Sequence, residues 1–307
     1  MNNIFPWRDK KVTVVCVTII ATIIVMATSY YSWNGNLNRT HAGLQFVSYQ
    51  RKIEEMSIAL LKKQTLEDIL PFLTPPVVIT TANFGYLQIV NNFLKSIKKV
   101  GVNVSIVLVC EDDLLYNHFH NRKDINAVIT KFTTNIKKVQ KFRTSTFNEI
   151  VNRRISHVLQ LLNNGLDTFY LDSDTIWLQN PFPYFDEEAD LFVQQEKGIP
   201  YCSGMFFIRA TGPSIRMVTH WEALDKHKYN NQYSYNKAIK ETTGLRVKGL
   251  PTQKFVGGEI YFKNLIPWSE RNPAPVIVHA TWRLGPESKI KQLQKCGLWF
   301  LNETEMV

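Results

Sequence analysis

The chain has 307 residues, 45% of them hydrophobic, with twelve tyrosines, eighteen phenylalanines and seven tryptophans. That is enough apolar side chain for one large core and too much for a globally disordered chain. The formal net charge of +10 is spread over scattered basic pairs, Lys62 with Lys63, Lys98 with Lys99, Lys137 with Lys138 and Arg153 with Arg154, with no interleaved basic and aromatic stripe, so no nucleic acid is expected as a partner. The pairs read as solvated helix faces, with a basic cleft for a diphosphate or an acidic glycan as the second reading.

Residues 12–33 carry no charged side chain and are long enough to cross a bilayer as one helix. A cleaved signal peptide would have a shorter apolar stretch ending in a small-residue cleavage site. Arg8, Lys10 and Lys11 precede the span and the first positive charge after it is Arg39, so the positive-inside bias keeps the N-terminus cytosolic and the rest of the chain lumenal. Tyr30, Tyr31 and Trp33 fit an aromatic belt at the exit side. Three N-x-S/T triplets, at Asn38, Asn103 and Asn302, all follow the span, on the side where glycans are added. In that oxidising compartment Cys110, Cys202 and Cys296 allow one disulfide at most; Cys110 ends an apolar run and reads as a buried thiol, leaving Cys202 with Cys296 as the candidate pair. After a polar stalk at 34–43, residues 44–70 show helical spacing in Ile53, Met56 and Leu60, and Pro71, Pro75 and Pro76 break it. The expected organisation is a cytoplasmic tail at 1–11, a signal anchor at 12–33, a lumenal stem with a helix at 34–75, and one α/β domain at 76–307.

From residue 77 short apolar runs alternate with amphipathic stretches, the pattern of βαβ units and a largely parallel sheet. Strands are expected over 77–81, 104–110, 168–171 and 276–278, the last ending just before His279. Helices are expected over 86–100, ended by Gly101, and over 148–164, closed by Gly165. The strand at 168–171 runs directly into Asp172-Ser173-Asp174. In extended backbone, residues two apart project to one side, so both carboxylates aim at a single hard cation. The carboxyl edge of a strand is also where open α/β sheets bind ligands. Two acids on a loop are usually only solvated, but strand, acids, Trp177 and the Pro181-Phe182-Pro183 turn together are far more specific. A cation there suits a diphosphate leaving group, whose charge it neutralises as the bond breaks. Phosphatases of the haloacid dehalogenase type also carry Asp-x-Asp at a strand end, with threonine four residues after the first acid; here Ile176 holds that position and Thr175 comes one residue early.

Several motifs follow in order: Val78 to Tyr86 (VITTANFGY), Asn152-Arg153-Arg154, Leu171-Asp172-Ser173-Asp174 with Trp177, Cys202-Ser203-Gly204-Met205, Asn231-Gln232 with Asn236, Gly258 to Phe262, and His279 through Gly285 to Lys289. In this set the chain resembles the nucleotide-diphospho-sugar transferases that include the plant rhamnogalacturonan xylosyltransferases, glycosyltransferase family 77, over about residues 76–300. The resemblance implies a GT-A fold, that is, a Rossmann-like, mostly parallel sheet with helices on both faces. It also implies an enzyme that uses Mn²⁺ or Mg²⁺ to transfer a sugar from a nucleotide-diphosphate donor, such as UDP-xylose or UDP-galactose, to a glycan or glycoprotein acceptor with retention of configuration; with the anchor and topology read above, a Golgi type II membrane enzyme is expected. Carried over residue by residue, Asp172 and Asp174 are metal and donor ligands and His279 is a remote third metal ligand, an imidazole favouring Mn²⁺. Lys289 holds the diphosphate as a point charge, and Gly285 lets backbone approach it. Arg154, Ser173 and Gly204 sit against the donor, and Thr81, Asn83 and Tyr86 line the nucleotide pocket.

One departure stands out. Where such enzymes carry Asp-Gln, this chain has Asn231-Gln232, an amide in place of an acid. Gln232 can support the positive character of the transferring sugar but cannot act as an ionised nucleophile. Asn231, Gln232 and Asp174 are the expected catalytic residues. Front-face transfer assisted by the donor phosphate, a shifted acceptor, and a catalytically inert glycan- or nucleotide-binding partner of an active enzyme all remain open at this point.

Overall fold

The computed structural model describes residues 63–130, 145–196, 198, 200–225, 230–263, 267–302 and 304. The expected span at 12–33, the tail before it and most of the helix expected over 44–70 lie outside the described residues. No helix among the described residues is long and apolar enough to cross a membrane. Residues from Thr65 onward form one compact unit. The expected helix does not run through to residue 70, because residues 63–65 are non-helical. Thr65 starts a separate turn, α1 (Leu66–Ile69), its amide and hydroxyl donating to Asp68 at 2.8 and 2.7 Å, which makes a helix start of what would otherwise be a helix interior.

The first half of the unit follows the βαβ rhythm. Strand β1 (Val77–Ala82) leads to α2 (Leu87–Val100), which Gly101 ends in left-handed backbone at φ 75°. Val90, Phe93, Leu94 and Ile97 recur at helical spacing and are buried; each contributes about 1.5–3 kcal/mol of burial. Strand β2 (Ser105–Cys110), α3 (Asp113–Phe119) capped by Asp112, β3 (Asn126–Ile129), α4 (Ser145–Asn163) and β4 (Thr168–Leu171) come next. β1 pairs in parallel with both β2 and β4, and β2 with β3. Beyond β4 the chain makes β5 (Thr175–Trp177), β6 (Leu191–Val193), β7 (Met205–Ile208), α5 (Gly212–Asp225), α6 (Asn231–Glu241) and β8 (Val247–Gly249). It ends with β9 (Phe255–Gly257), α7 (Gly258–Tyr261), β10 (Ile277–His279) and α8 (Pro286–Lys295).

The result is a mixed seven-stranded sheet in the order β3-β2-β1-β4-β7-β6-β8, beside a three-stranded sheet in the order β5-β10-β9. β7 runs antiparallel to both its neighbours, β4 and β6, the exception in a sheet that is otherwise parallel, as the largely parallel pattern expected. Helices cover both faces. Alternate β1 residues divide between them: Val77 and Ile79 pack with α4, α5 and α6, whereas Val78 and Ala82 pack with α2 and α3. A third cluster, including Ile176, Val256, Val278 and Leu293, fills the small sheet under α8. The crossover between the two sheets is the turn Asp172-Ser173-Asp174: Leu171 closes a strand of the large sheet and Thr175 opens a strand of the small one.

Candidate active site

Thr175 donates to the Asp172 carbonyl from its amide at 3.1 Å and from its hydroxyl at 3.0 Å, and so closes a turn at the acidic pair. The pair therefore converges through this turn and not through strand alternation, the reason expected from sequence. Antiparallel pairing of β5 with β10 sets His279 opposite Thr175, and the Ala280 amide donates to the Asp174 carbonyl at 3.0 Å. His279 ends the strand itself, one residue further along than expected. On the other side, pairing of Leu171 with Met205 brings up Gly204, whose carbonyl accepts from the Asp172 amide at 2.7 Å. Three separate segments are thus joined by main-chain hydrogen bonds around two carboxylates.

His279 Nε2 lies 3.4 Å from Asp174 Oδ1 and 3.7 Å from Asp172 Oδ2. One ligand atom from each of the three lies within 4.8 Å of the others, a spread that fits a hard divalent cation with bonds of about 2.0–2.6 Å. Each side chain is held from outside the cluster. Arg154 Nη1 and the Tyr170 hydroxyl donate to Asp172 Oδ1 at 3.1 and 3.0 Å. Lys289 Nζ donates to Asp174 Oδ2 and to the Ala280 carbonyl. His279 Nδ1 lies 2.8 Å from Gln194 Oε1. Burial opposes ionisation of Asp172, but Arg154 and His279 hold its carboxyl below the usual range. Burial opposes it at Asp174 too, and Lys289 and His279 hold that carboxyl far lower. Both acids are therefore ready anionic ligands. Burial would lower His279, but Asp174 and Asp172 raise it well above the ordinary histidine range, so its Nε2 proton occupies the position that a cation would take.

A cavity of about 170 Å³ opens beside this cluster, lined by Thr81, Asn83, Tyr86, Arg154, Tyr170, Ser173, both aspartates and Lys289, among others. Eight residues singled out in the sequence thus share one hollow. Tyr86 is pushed up to about 12 by burial and by Asp174 and Asp172, so it stays a neutral phenol. Arg154 is buried and also donates to the Ser203 carbonyl at 2.9 Å; it is no surface arginine. Gly285 precedes α8 at φ 75° and delivers Lys289 one turn later. Between His279 and Gly285 the chain exposes Trp282, at φ 60°, and Leu284.

The other expected residues are not among those that line this hollow. Gln232 Oε1 accepts from the Ser203 amide and hydroxyl at 3.1 and 3.2 Å, and its Nε2 donates to the Tyr201 carbonyl. The carboxamide is committed to Tyr201 and Ser203 and clamps the segment that carries Gly204. Asn231 is buried and donates to Asn152 Oδ1 at 3.0 Å. Cys202 and Cys296 are both free, buried thiols, which overturns the expected disulfide; Cys202 lies instead 3.9 Å from His279 Nδ1. Sequence reasoning also missed Tyr170, two positions before Asp172, and Glu111, at the carboxyl end of β2. Glu111 accepts from Thr81 and Arg153 at 2.7 Å each, and burial still lifts it above the usual carboxylate range. An acid ending an apolar strand was a visible signal in both β2 and β4.

The family model described as nucleotide-diphospho-sugar transferase matches residues 102–293, more than half of the chain. The chain belongs to this family. Among curated relatives, this transferase is 26% identical over 256 residues to the UDP-D-xylose:L-fucose alpha-1,3-D-xylosyltransferase 3 of Arabidopsis thaliana, covering 74% of this chain and 67% of the relative. It is 23% identical over 285 residues to the UDP-galactose:fucoside alpha-3-galactosyltransferase of Dictyostelium discoideum, covering 75% of this chain and 44% of that protein. Among solved structures, the transferase superposes on the glycosyltransferase GlyE of Streptococcus pneumoniae TIGR4 with a TM-score of 0.51 at 15% identity. The match covers 76% of this chain and spans 62% of the GlyE chain; it establishes a GT-A-like fold.

Proposed function

We propose that this transferase moves a sugar, xylose or galactose, from its UDP donor to a fucose-bearing glycan or glycoprotein acceptor, using Mn²⁺ or Mg²⁺ and retaining the anomeric configuration. The observation that carries this reading is the convergence of Asp172, Asp174, His279 and Lys289 at the rim of the cavity that Thr81, Asn83 and Tyr86 line. The fucose acceptor is suggested by the two relatives from distant organisms, both named for transfer to a fucose or fucoside.

Asp172, Asp174 and His279 would hold the cation, which when bound neutralises charge on the departing diphosphate. The chain's own residues do the rest. Thr81, Asn83 and Tyr86 form the floor of the nucleotide pocket, and Ser173 lines the same hollow. Lys289 exchanges its carboxylate partner for diphosphate oxygens, a point charge serving either anion. Arg154 and Tyr170 keep Asp172 aimed, and Gly204 leaves space for it. The bond from the anomeric carbon to the diphosphate breaks, a bond to the acceptor oxygen forms on the same face, and the acceptor proton passes to the departing phosphate oxygen. Gln232 orients segment 201–204 beneath the sugar. Trp282 and Leu284 offer apolar surface on which an acceptor ring can lie. The uncharged segment 12–33 with its preceding basic flank supports a Golgi type II anchor and a lumenal domain. Asn103 and Asn302 are both exposed, as glycan sites must be.

The test is a panel of nucleotide sugars incubated with purified full-length protein and Mn²⁺, with fucosides as acceptors. One UDP-sugar is expected to turn over, and Asp174→Asn should abolish that turnover while leaving the thermal unfolding transition cooperative. Donor binding without turnover on any acceptor would favour the inert partner suggested by Asn231. Absence of both binding and turnover would sink the proposal.

A further inference from the structure

His279 has two ring nitrogens, and the reading above uses one. Its other nitrogen faces donors of different chemistry. Nδ1 lies 3.9 Å from Cys202 Sγ, and Glu196 contributes a carboxylate oxygen within 4.8 Å of both. The Cys202 sulfur is a reduced thiol that also accepts the Gly204 amide at 3.4 Å. Glu196 Oε1 is sealed from solvent and has no hydrogen-bond partner among the described residues, although a buried carboxylate oxygen ordinarily finds one. Gln194 Oε1, 2.8 Å from Nδ1, stands at the same point as a neutral oxygen donor.

We propose that Cys202, His279 Nδ1 and Glu196 form a second cation site, selective for a soft divalent ion of the Zn²⁺ type, behind the hard site formed by Asp172 and Asp174. A sulfur, an imidazole nitrogen and one carboxylate are the donors that select Zn²⁺, whereas two carboxylates and an imidazole suit Mn²⁺ or Mg²⁺. Tetrahedral Zn²⁺, with bonds of about 2.3 Å to sulfur and 2.0 Å to nitrogen, sets those two atoms about 3.5 Å apart. The 3.9 Å found here needs a few tenths of an ångström of closure. Gln194 Oε1 or a water completes the fourth position, and binding displaces the thiol proton and the proton on His279 Nδ1, leaving the ring's remaining proton on Nε2.

The two sites share one ring, and that couples them. A neutral imidazole has one lone-pair nitrogen, so a dication on Nδ1 leaves the proton on Nε2 and adds positive charge about one imidazole width from the hard site. Occupancy of the soft site therefore disfavours a cation between Asp172 and Asp174, and Zn²⁺ antagonises Mn²⁺ without competing for its carboxylates.

Metal-stripped full-length protein is titrated with Co²⁺, a spectroscopic stand-in for Zn²⁺, in wild type, in the double variant Asp172→Asn/Asp174→Asn, in Cys202→Ser and in Glu196→Gln. The wild type and the double variant should both show the near-ultraviolet thiolate-to-cobalt charge-transfer band, bleached by Zn²⁺. Cys202→Ser should lack it, and Glu196→Gln should need roughly 10- to 100-fold more Co²⁺. These readouts do not depend on turnover, so they stand apart from the transfer reaction. The site is refuted by the absence of the band in wild type, by its loss in the double variant, or by an unchanged Co²⁺ affinity in Glu196→Gln. The last comparison decides the matter even if Cys202→Ser fails to fold.

Discussion

Replacing Gly204 with alanine tests the geometry of the acidic pair by adding a single methyl group. A Cβ built on Gly204 would lie 2.3 Å from Asp172 Oδ2, 2.9 Å from its Cγ and 2.8 Å from His279 Cε1. Bringing the nearest contact to an ordinary 3.4 Å requires the carboxylate to retreat by about 1 Å. It cannot do so freely, because Oδ1 is held by Arg154 and Tyr170 and the Asp172 amide by the Gly204 carbonyl. Overpacking of this kind costs about 1–3 kcal/mol, and losing one hydrogen bond to a charged group costs a similar amount. A domain of this size should lose about 2–4 °C in Tm per kcal/mol, so it stays folded. Function suffers more, since a 1 Å misplacement at a reacting centre costs on the order of 100-fold in rate. The assay is kcat/KM for the UDP-sugar as a function of Mn²⁺, alongside a thermal melt. Gly204→Ala is expected to need more Mn²⁺ and to lose about two decades in kcat/KM with a melting shift of several degrees. Wild-type turnover and wild-type Mn²⁺ dependence would show that Asp172 is not held where this geometry puts it.

Three further outcomes can be measured independently. Lys289→Met should raise the donor KM by about 10- to 100-fold, the worth of one charge-assisted hydrogen bond, and an unchanged KM would remove Lys289 from the diphosphate. His157 is buried and its imidazole is pushed down to about 4, chiefly by that burial, against about 6.5 unfolded. The unfolded chain therefore binds the extra proton first: stability is fully present above about pH 6.5 and is lost as pH falls toward 4, by on the order of 3 kcal/mol. Denaturant unfolding at neutral and mildly acidic pH should show a shallower acid loss in His157→Leu than in wild type, and equal slopes would contradict the assignment. Finally, glycosidase treatment should increase gel mobility in a way that Asn103→Gln and Asn302→Gln reduce stepwise; a mobility insensitive to all three would reverse the proposed lumenal topology.

Much of the α/β order was legible because strand and helix signals are local. Apolar runs between turn residues located β1, β2 and β4, Gly101 ended α2, and the acids stood at the end of β4 as the pattern required. The segment at 276–278 was recognisable as a strand delivering His279, although the observed strand is shifted by one residue. What local spacing could not express is which strands become neighbours. The chain changes sheets at Asp172-Ser173-Asp174, and His279 reaches the acids because β10 pairs antiparallel with β5. The burial of Arg154, the commitment of Gln232 to residues 201–203, and the approach of Cys202 to His279 in place of a bond to Cys296 follow from that pairing. Composition and periodicity determined which segments would be strands and helices, since those depend on neighbours a few residues away. Tertiary structure decided which side chains meet, because register between segments a hundred residues apart is set by the packing of the whole core and by main-chain pairing that no single segment contains.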